Sequence, residues 1–521
     1  MKVSKMVWMM CIFSIVALVA GCKSTDTNSR ADSDIGKELI VAYPSQPPSL
    51  DTHTNTTTAT SNIGKNIFES LVAMDSQYGV QPMLADSWEV KEDGRVIEFT
   101  LREGVKFHNG ETMTAKDVVA SMNRWLENSS SAAETFDDAS FSEIDDRTVK
   151  LEMSQPTATA LIVLAYSGGE LASIMPASVI ENIKNDKLTE FIGTGPFQFE
   201  SWQQDQQIHL KKFKDYSSRE EAADGLSGKK EALVDDLYFK FVSDSSTRLA
   251  GIQSGEYDVA HSIPYDSTDQ LKDNPNVKLY SSPNTILNIY LNKKKGLFSD
   301  ITARKALATG IDKEAILKAS FGDPENYEKT HHMMMYHQEG QWSSDVGKNE
   351  YNIHDVNKAK ELFKEAGYNG EKLTIMATRD YEYVYSSAVV LQEQLNQMGI
   401  NAEIEVYDWP TFVDKREDPD NYDITIIPNT AKPEPSSLAF MRSDFTGWTD
   451  SEELNGILGE FRHAPSLEEA QKKYNDLQAW FIEYIPIIKI GDVNSIYASR
   501  DNISEIEYVD GAIYWNVTKS K

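Results

Sequence analysis

The run His331-His332-Met333-Met334-Met335-Tyr336-His337 gathers three imidazoles and three thioethers, side chains that ligate soft or borderline metal ions. No two of His331, His332 and His337 are four residues apart and no carboxylate stands among them, so the spacing specifies no metal geometry. A cleft-lining loop, in which methionine adapts to an irregular surface, is the reading the run favours. Arg379, after the strand-like LTIMAT, offers a guanidinium that can hold a carboxylate through two parallel bonds. Pairing with Asp380 or Glu382 is the alternative. Tyr381 and Tyr383 follow at spacing two, either lining one face of an extended segment or packing. Trp409 in VYDWPTF and Trp448 in FTGWTD occupy turn-like contexts, as aromatic walls or as core. Pro428 to Pro435 reads PNTAKPEP, with Lys432 and Glu434 among three prolines. Proline fixes φ and lacks a donor, so this segment is expected to leave its sheet and hold its side chains in set directions. No HExxH, GxSxG, P-loop or GxGxxG is present, so neither an enzyme nor a resident cofactor is expected.

The chain that must position these groups has 521 residues and a formal charge of -30. That length implies two or three domains. The charge excludes partners bound mainly through phosphates, nucleic acid above all. Residues 1–21 have a signal peptide's form: Lys2 and Lys5, then an apolar stretch too short for a membrane span. Its end, Leu18-Val19-Ala20-Gly21-Cys22, resembles the bacterial lipobox, which implies cleavage before Cys22 and diacylation of its thiol. Residues 22–38 are then a polar tether. The other cysteine, Cys11, lies in the removed segment, which leaves no disulfide and no thiolate site.

From Leu39 onward strands and helices alternate. ELIVAYP, VIEFTL, FQFESW, IHLKKF, ALVDDLYFKFV and TILNIYL read as strands, and Ile63 to Leu71 as a helix with one apolar face. Thr114 and Asp117 form a capping box before VVASMNRWLEN, and SLEE at Ser466 another before a helix ended by Pro486. LTIMATR, the helix from Tyr385 to Met398, and AEIEVYDW make a βαβ unit, with YDITII as a further strand.

Several segments, in register over nearly all of this body, carry a resemblance. PMLADSWEV at Pro82, FTLREGVKFHNGE at Phe99, GTGPFQFESW at Gly193, LAGIQSGEYDVA at Leu249, ARKALATGIDKEAI at Ala303 and NKAKELFKEAGY at Asn357 closely resemble the peptide/nickel family of extracellular solute-binding proteins, the receptors of ATP-driven uptake transporters. The resemblance implies an α/β bilobal receptor of the large peptide-binding type. Residues 39–70, 195–285 and 492–521 would form domain I, 71–194 an inserted domain II and 286–491 domain III, with the ligand between I and III. It implies capture of a small polar solute, peptide-like or an anionic conjugate, by hinge closure, and delivery to ABC permease subunits. A metal-chelate or oligosaccharide receptor, or a lipid-anchored chaperone or adhesin, is the alternative. In peptide-binding members the segment after the strand like YDITII carries an acid that pairs with the ligand's ammonium. Here Lys432 falls at that acid, Asn429 at a tryptophan, and Glu434-Pro435 resembles the motif's end, with Thr430 between. Lys432 would favour a carboxylate, unless it points to water or Glu434 takes the amine. Tyr43 and the polar run Thr52 to Thr60 would face the cleft from domain I. The resemblance places a monomer at the outer face of the cell membrane, or in a periplasm, held to the bilayer through Cys22.

Overall fold

The computed structural model describes residues 37–520 apart from 137, 186 and 505. The signal peptide, Cys22 and nearly all of the tether lie outside the described residues. Among the described residues no helix is long and apolar enough to cross a membrane.

One eleven-stranded mixed sheet organises the chain. At one end Glu38–Tyr43 runs parallel to Asp236–Phe241 and to Val259–Ala260, and Gln207–Lys212 and Phe197–Gln203 continue that edge antiparallel. At the other end Leu373–Thr378 lies parallel between Ala402–Tyr407 and Ile424–Thr430. Two long strands, Val277–Leu291 and Ile487–Arg500, pair antiparallel through the middle and join the ends. Their ladder shifts register between Pro283 and Thr285, and again between Leu287 and Asn288. A bulge leaves a residue unpaired and bends the strand, so the sheet's middle is its least regular part.

The βαβ unit forms as its pattern predicts. Val384, Ala388, Leu391 and Leu395 make the buried stripe of helix Glu382–Gln397, each buried side chain contributing about 1.5–3 kcal/mol (Ala less). Gly399, at φ 83°, ends that helix, and the Ile400 N–H returns to Leu395 O at 2.9 Å. A separate antiparallel sheet orders Ala85–Lys91, Val96–Leu101, Thr148–Met153 and Ala139–Asp145. Helix Ala115–Asn128 buries Val118, Met122 and Trp125 and starts where the capping box places it, the Thr114 N–H donating to Asp117 Oδ2 at 2.8 Å.

Two expectations are corrected. The helix read at Ile63 to Leu71 is instead Thr58–Gly64, because the Asn66 amide donates to Asn62 O and Ile63 O and ends the turn there. The strand of YDITII does not stop at Pro428: Leu287 pairs with Pro428, Ile286 with Asn429 and Thr285 with Thr430. Leu373–Thr378 flanks this strand only at Ile424 and Thr425, so from Ile426 one side is an edge where a missing N–H costs no ladder bond.

Candidate functional site

Tyr43 closes the first strand, buried, with its ring 4.6 Å from that of His261. Its hydroxyl accepts from Asn62 Nδ2 at 3.0 Å. Tyr497, on Ile487–Arg500, stands edge-on to His261 at 4.7 Å, and His261 Nε2 bonds the Tyr514 hydroxyl. Burial first, then Lys65 and Arg248, lowers His261 to about 3, and burial pushes the Tyr497 hydroxyl up to about 12. The cluster is therefore neutral at physiological pH. With Thr57, Thr58 and Ser262 it lines a cavity of ≈ 300 Å³. Asn62 rides on helix Thr58–Gly64, which Thr57 caps by accepting from the Thr60 N–H. The loop before that helix is pinned by Arg124 Nη1 on Asp51 Oδ1 at 3.0 Å and by Thr52 Oγ1 on Ser173 Oγ at 2.7 Å. Asn62 Oδ1 is buried without a partner among the described residues. Gly511 comes so close that a Cβ there would sit 1.9 Å from this oxygen, and its φ of 114° also demands glycine.

Thr58 and Tyr497 also line a second, narrower cavity of ≈ 40 Å³, with Pro283 and Thr430 from the sheet's inner strands and Tyr78, Tyr166 and His337 from outside the sheet. Tyr166 from one side donates to Ala431 O on the other at 2.8 Å. Asp510 lies in this cavity, accepting from the Ser167 N–H at 3.3 Å and from Ser167 Oγ at 3.4 Å. Burial raises its pKa, while Lys65 and the Ser167 bonds pull the other way. Lys65 donates to Asp510 O at 2.9 Å, and burial takes its ammonium down to about 8. His337 faces Tyr78 at 4.6 Å between ring centroids, and both its ring nitrogens are buried without a partner among the described residues. Burial, then Lys489, lowers it to about 4. The Tyr78 hydroxyl also bonds the Asp510 carboxylate, so the groups without a partner here are the His337 nitrogens and, in the neighbouring cavity, Asn62 Oδ1.

The residues singled out from sequence divide sharply. Tyr43 and Thr430 line these cavities, as do Thr57 and Thr58 of the polar run, whereas Thr52 and Thr60 are buried in holding the loop. Asn429 is engaged within the sheet, its Oδ1 accepting from Asn288 Nδ2 and the Tyr290 hydroxyl at 2.8 Å each. Lys432 lies one residue beyond the lining. Its carbonyl accepts from Gln338 Nε2 at 2.7 Å, and its half-buried ammonium enters no ion pair among the described residues. Glu434 is 1% exposed and caps its own turn, accepting from the Ser436 N–H and Ser436 Oγ at 2.9 Å each, so it does not stand in the amine's place. Arg379 is exposed, donates to the Tyr385 hydroxyl at 2.8 Å and lies 4.2 Å over that ring, rather than pairing with Asp380 or Glu382. Tyr381 packs on Trp409 at 4.7 Å and Trp409 on Phe412 at 5.3 Å, while Tyr383 packs on Phe321 at 5.4 Å. None of these four lines the two cavities. Trp448 is buried against Tyr422 and lines a different cavity with Lys293 and Lys294.

The three histidines do not converge on one point, although the His331 and His332 rings lie 4.0 Å apart. His331 Nε2 bonds Ser344 O at 2.8 Å, His332 Nε2 lies 3.4 Å from Glu339, and His337 alone faces the cleft. Met333, Met334 and Met335 are buried and line neither of these two cavities. Among the described residues no group of three or more His, Cys, Asp or Glu could hold a metal ion. Sequence reading passed over Asn62, Tyr78, Tyr166, His261, Tyr497 and Asp510. The Asp510-Gly511 pair was the available signal, since such a dipeptide marks a turn with positive φ, here 48° and 114°.

Residues 79–450 match the model of the bacterial extracellular solute-binding proteins, family 5, and the chain belongs to that family. It is 27% identical over 478 residues to a probable peptide ABC transporter periplasmic-binding protein of Sinorhizobium fredii, covering 87% of this chain and 88% of that one. It is 29% identical over 380 residues to the glutathione-binding protein GsiB of Salmonella typhimurium, covering 71% and 70%. The fold matches the ABC transporter substrate-binding protein CtaP of Listeria monocytogenes with a TM-score of 0.79 at 21% identity, over 90% of this chain and 95% of that one. The expected family and fold are borne out, and the function is that of a substrate-binding protein of an ABC transporter.

Proposed function

We propose that this chain is a lipid-anchored receptor that closes on a small, charged, peptide-like solute or anionic conjugate and presents it to its permease. Residues 39–70, 195–285 and 492–521 form one lobe, 71–194 the insertion and 286–491 the opposing lobe. The single observation that carries the reading is the polar lining of two contiguous cavities, where the His337 nitrogens and the Asn62 oxygen are buried without a partner among the described residues, beside the Asp510 carboxylate. Buried polar groups without partners are uncommon in native proteins, and a bound solute is the natural partner for the two residues that carry them here. Asp510 takes the solute's ammonium, and Lys432, whose ammonium has no ion-pair partner among the described residues, takes its acidic end. The Tyr166–Ala431 bond clasps the closed form, and the bulges beside Pro283 and Leu287 are where the long strands flex. Residues 1–21 are removed and Cys22 carries the lipid that holds the receptor at the outer face of the membrane.

Native mass spectrometry of the protein from its own host, followed by calorimetry with the solute it releases, tests this reading. Asp510→Asn and Lys432→Ala are each expected to weaken binding about tenfold or more, the scale of a charge-assisted bond. A tight solute with neither amine nor acid, indifferent to both changes, overturns it. Labelled palmitate should enter the chain and be lost with Cys22→Ala.

A further inference from the structure

A further cavity, of ≈ 490 Å³, shares no lining residue with either cavity of the cleft. Leu362, Phe481, Ile482, Ile485 and Ile487 give it apolar walls. Lys313 also lines it, only 6% exposed, with its Nζ 4.2 Å from the centroid of the Tyr351 ring. Among the described residues that ammonium has neither a hydrogen-bond acceptor nor an ion-pair partner. Its neighbour Lys489 shows the contrast: buried too, it holds Asp492 at 2.7 Å and the carbonyls of His332 and Met334 at 2.8 Å each. Burial first, then the charge of Lys489, takes Lys313 down to about 7. The carboxylates of Glu350, Asp355 and Glu483 sit at the exposed rim with Lys305 and Lys358. Lys489 and His331 also line the cavity but are already bonded, His331 Nε2 to Ser344 O, so Lys313 is the buried cation left to a ligand.

A buried ammonium without an acceptor is costly, and an entering carboxylate would supply the acceptor while apolar walls sheltered its body. We propose that this groove is a second binding site, taking a monocarboxylate with an apolar body of medium-chain fatty-acid size, its head on Lys313 and its chain against Phe481, Ile482 and Ile487. The head and the walls then serve different parts of one ligand. Neither the cleft nor its solute takes part.

Octanoate titrated calorimetrically into the full chain tests the proposal. Saturable one-site binding is expected, about tenfold weaker after Lys313→Met and about tenfold weaker for octanol, the factor that loss of one charge-assisted bond sets. Lys313→Met replaces a lone buried charge by an apolar side chain of similar length, so the fold should survive. Ala308→Trp, which fills the groove without touching the charge, should abolish binding as well. Octanoate binding undiminished in both variants, or matched by octanol, overturns the proposal. Saturable binding of inorganic phosphate at the affinity of octanoate overturns the role of the apolar walls.

Discussion

Two buried acids, Glu434 and Asp510, invite the same reading and have different surroundings. Glu434 sits in the proline-stiffened loop where the family's sequence pattern directs attention. Both its oxygens are held at 2.9 Å by Ser436 of its own turn, and Arg462 braces that serine at 3.1 Å. Asp510 sits in a C-terminal turn with little to mark it. Its bonds to Ser167 are long, at 3.3 and 3.4 Å, the Tyr78 hydroxyl bonds it as well, and it lines the narrower cavity beside His337. Burial raises the pKa of both. Burial alone therefore does not mark a binding group. What separates them is that Glu434 is held on both oxygens by its own turn, whereas the bonds from Ser167 to Asp510 are longer and Asp510 lines a cavity.

Exchanging the two acids' roles is the way to break that comparison. The largest effect is expected from Asp510→Asn on affinity for the bound solute, a loss of about 1.5–3 kcal/mol read by calorimetry. Glu434→Ala should leave that affinity unchanged and cost about 1–2 kcal/mol of stability, read as a lower urea midpoint at constant slope. If Glu434→Ala weakens binding as much as Asp510→Asn does, the division between them fails. Tyr166→Phe removes one clasp across the cleft, about 0.5–1.5 kcal/mol, so the solute should leave up to about tenfold faster in stopped flow.

The smallest effect is a pH dependence at His337. Burial lowers this histidine from 6.5 to about 4, so between those values the unfolded chain binds the proton more readily. Its contribution to stability is thus intact above 6.5 and lost as pH falls toward 4. His337→Gln should flatten the fall in thermal midpoint between about pH 6.5 and about pH 4.5. An unchanged slope would mean that His337 is solvated in the free protein and is no open partner for a solute.

Much of the fold was legible because period and caps speak locally. The βαβ unit from Leu373 to Tyr407, the Thr114 capping box and the Ser466 helix all stand where their patterns place them. Family and fold were legible too, since the motifs run in order along the chain. The site was less so, because its groups come from residues 43, 62, 166, 261, 337, 497 and 510, joined only by folding. Aromatic residues in turn-like contexts misled: Trp448 needed a reason to be there, and the reason is Tyr422 and its own cavity. Asn429 was found by position but not by role, because in a strand alternate side chains face opposite ways and its own reaches Asn288 and Tyr290.

The central claim is that the solute is held in the cavity that Asp510 and His337 line, where the His337 nitrogens have no partner among the described residues. A crystal structure of the protein purified from its host with that solute bound tests this most directly. The account predicts the solute against Asp510 and the His337 ring, with the Tyr166–Ala431 contact closed over it. A solute seated elsewhere, with Asp510 and His337 contacting only protein, would contradict it.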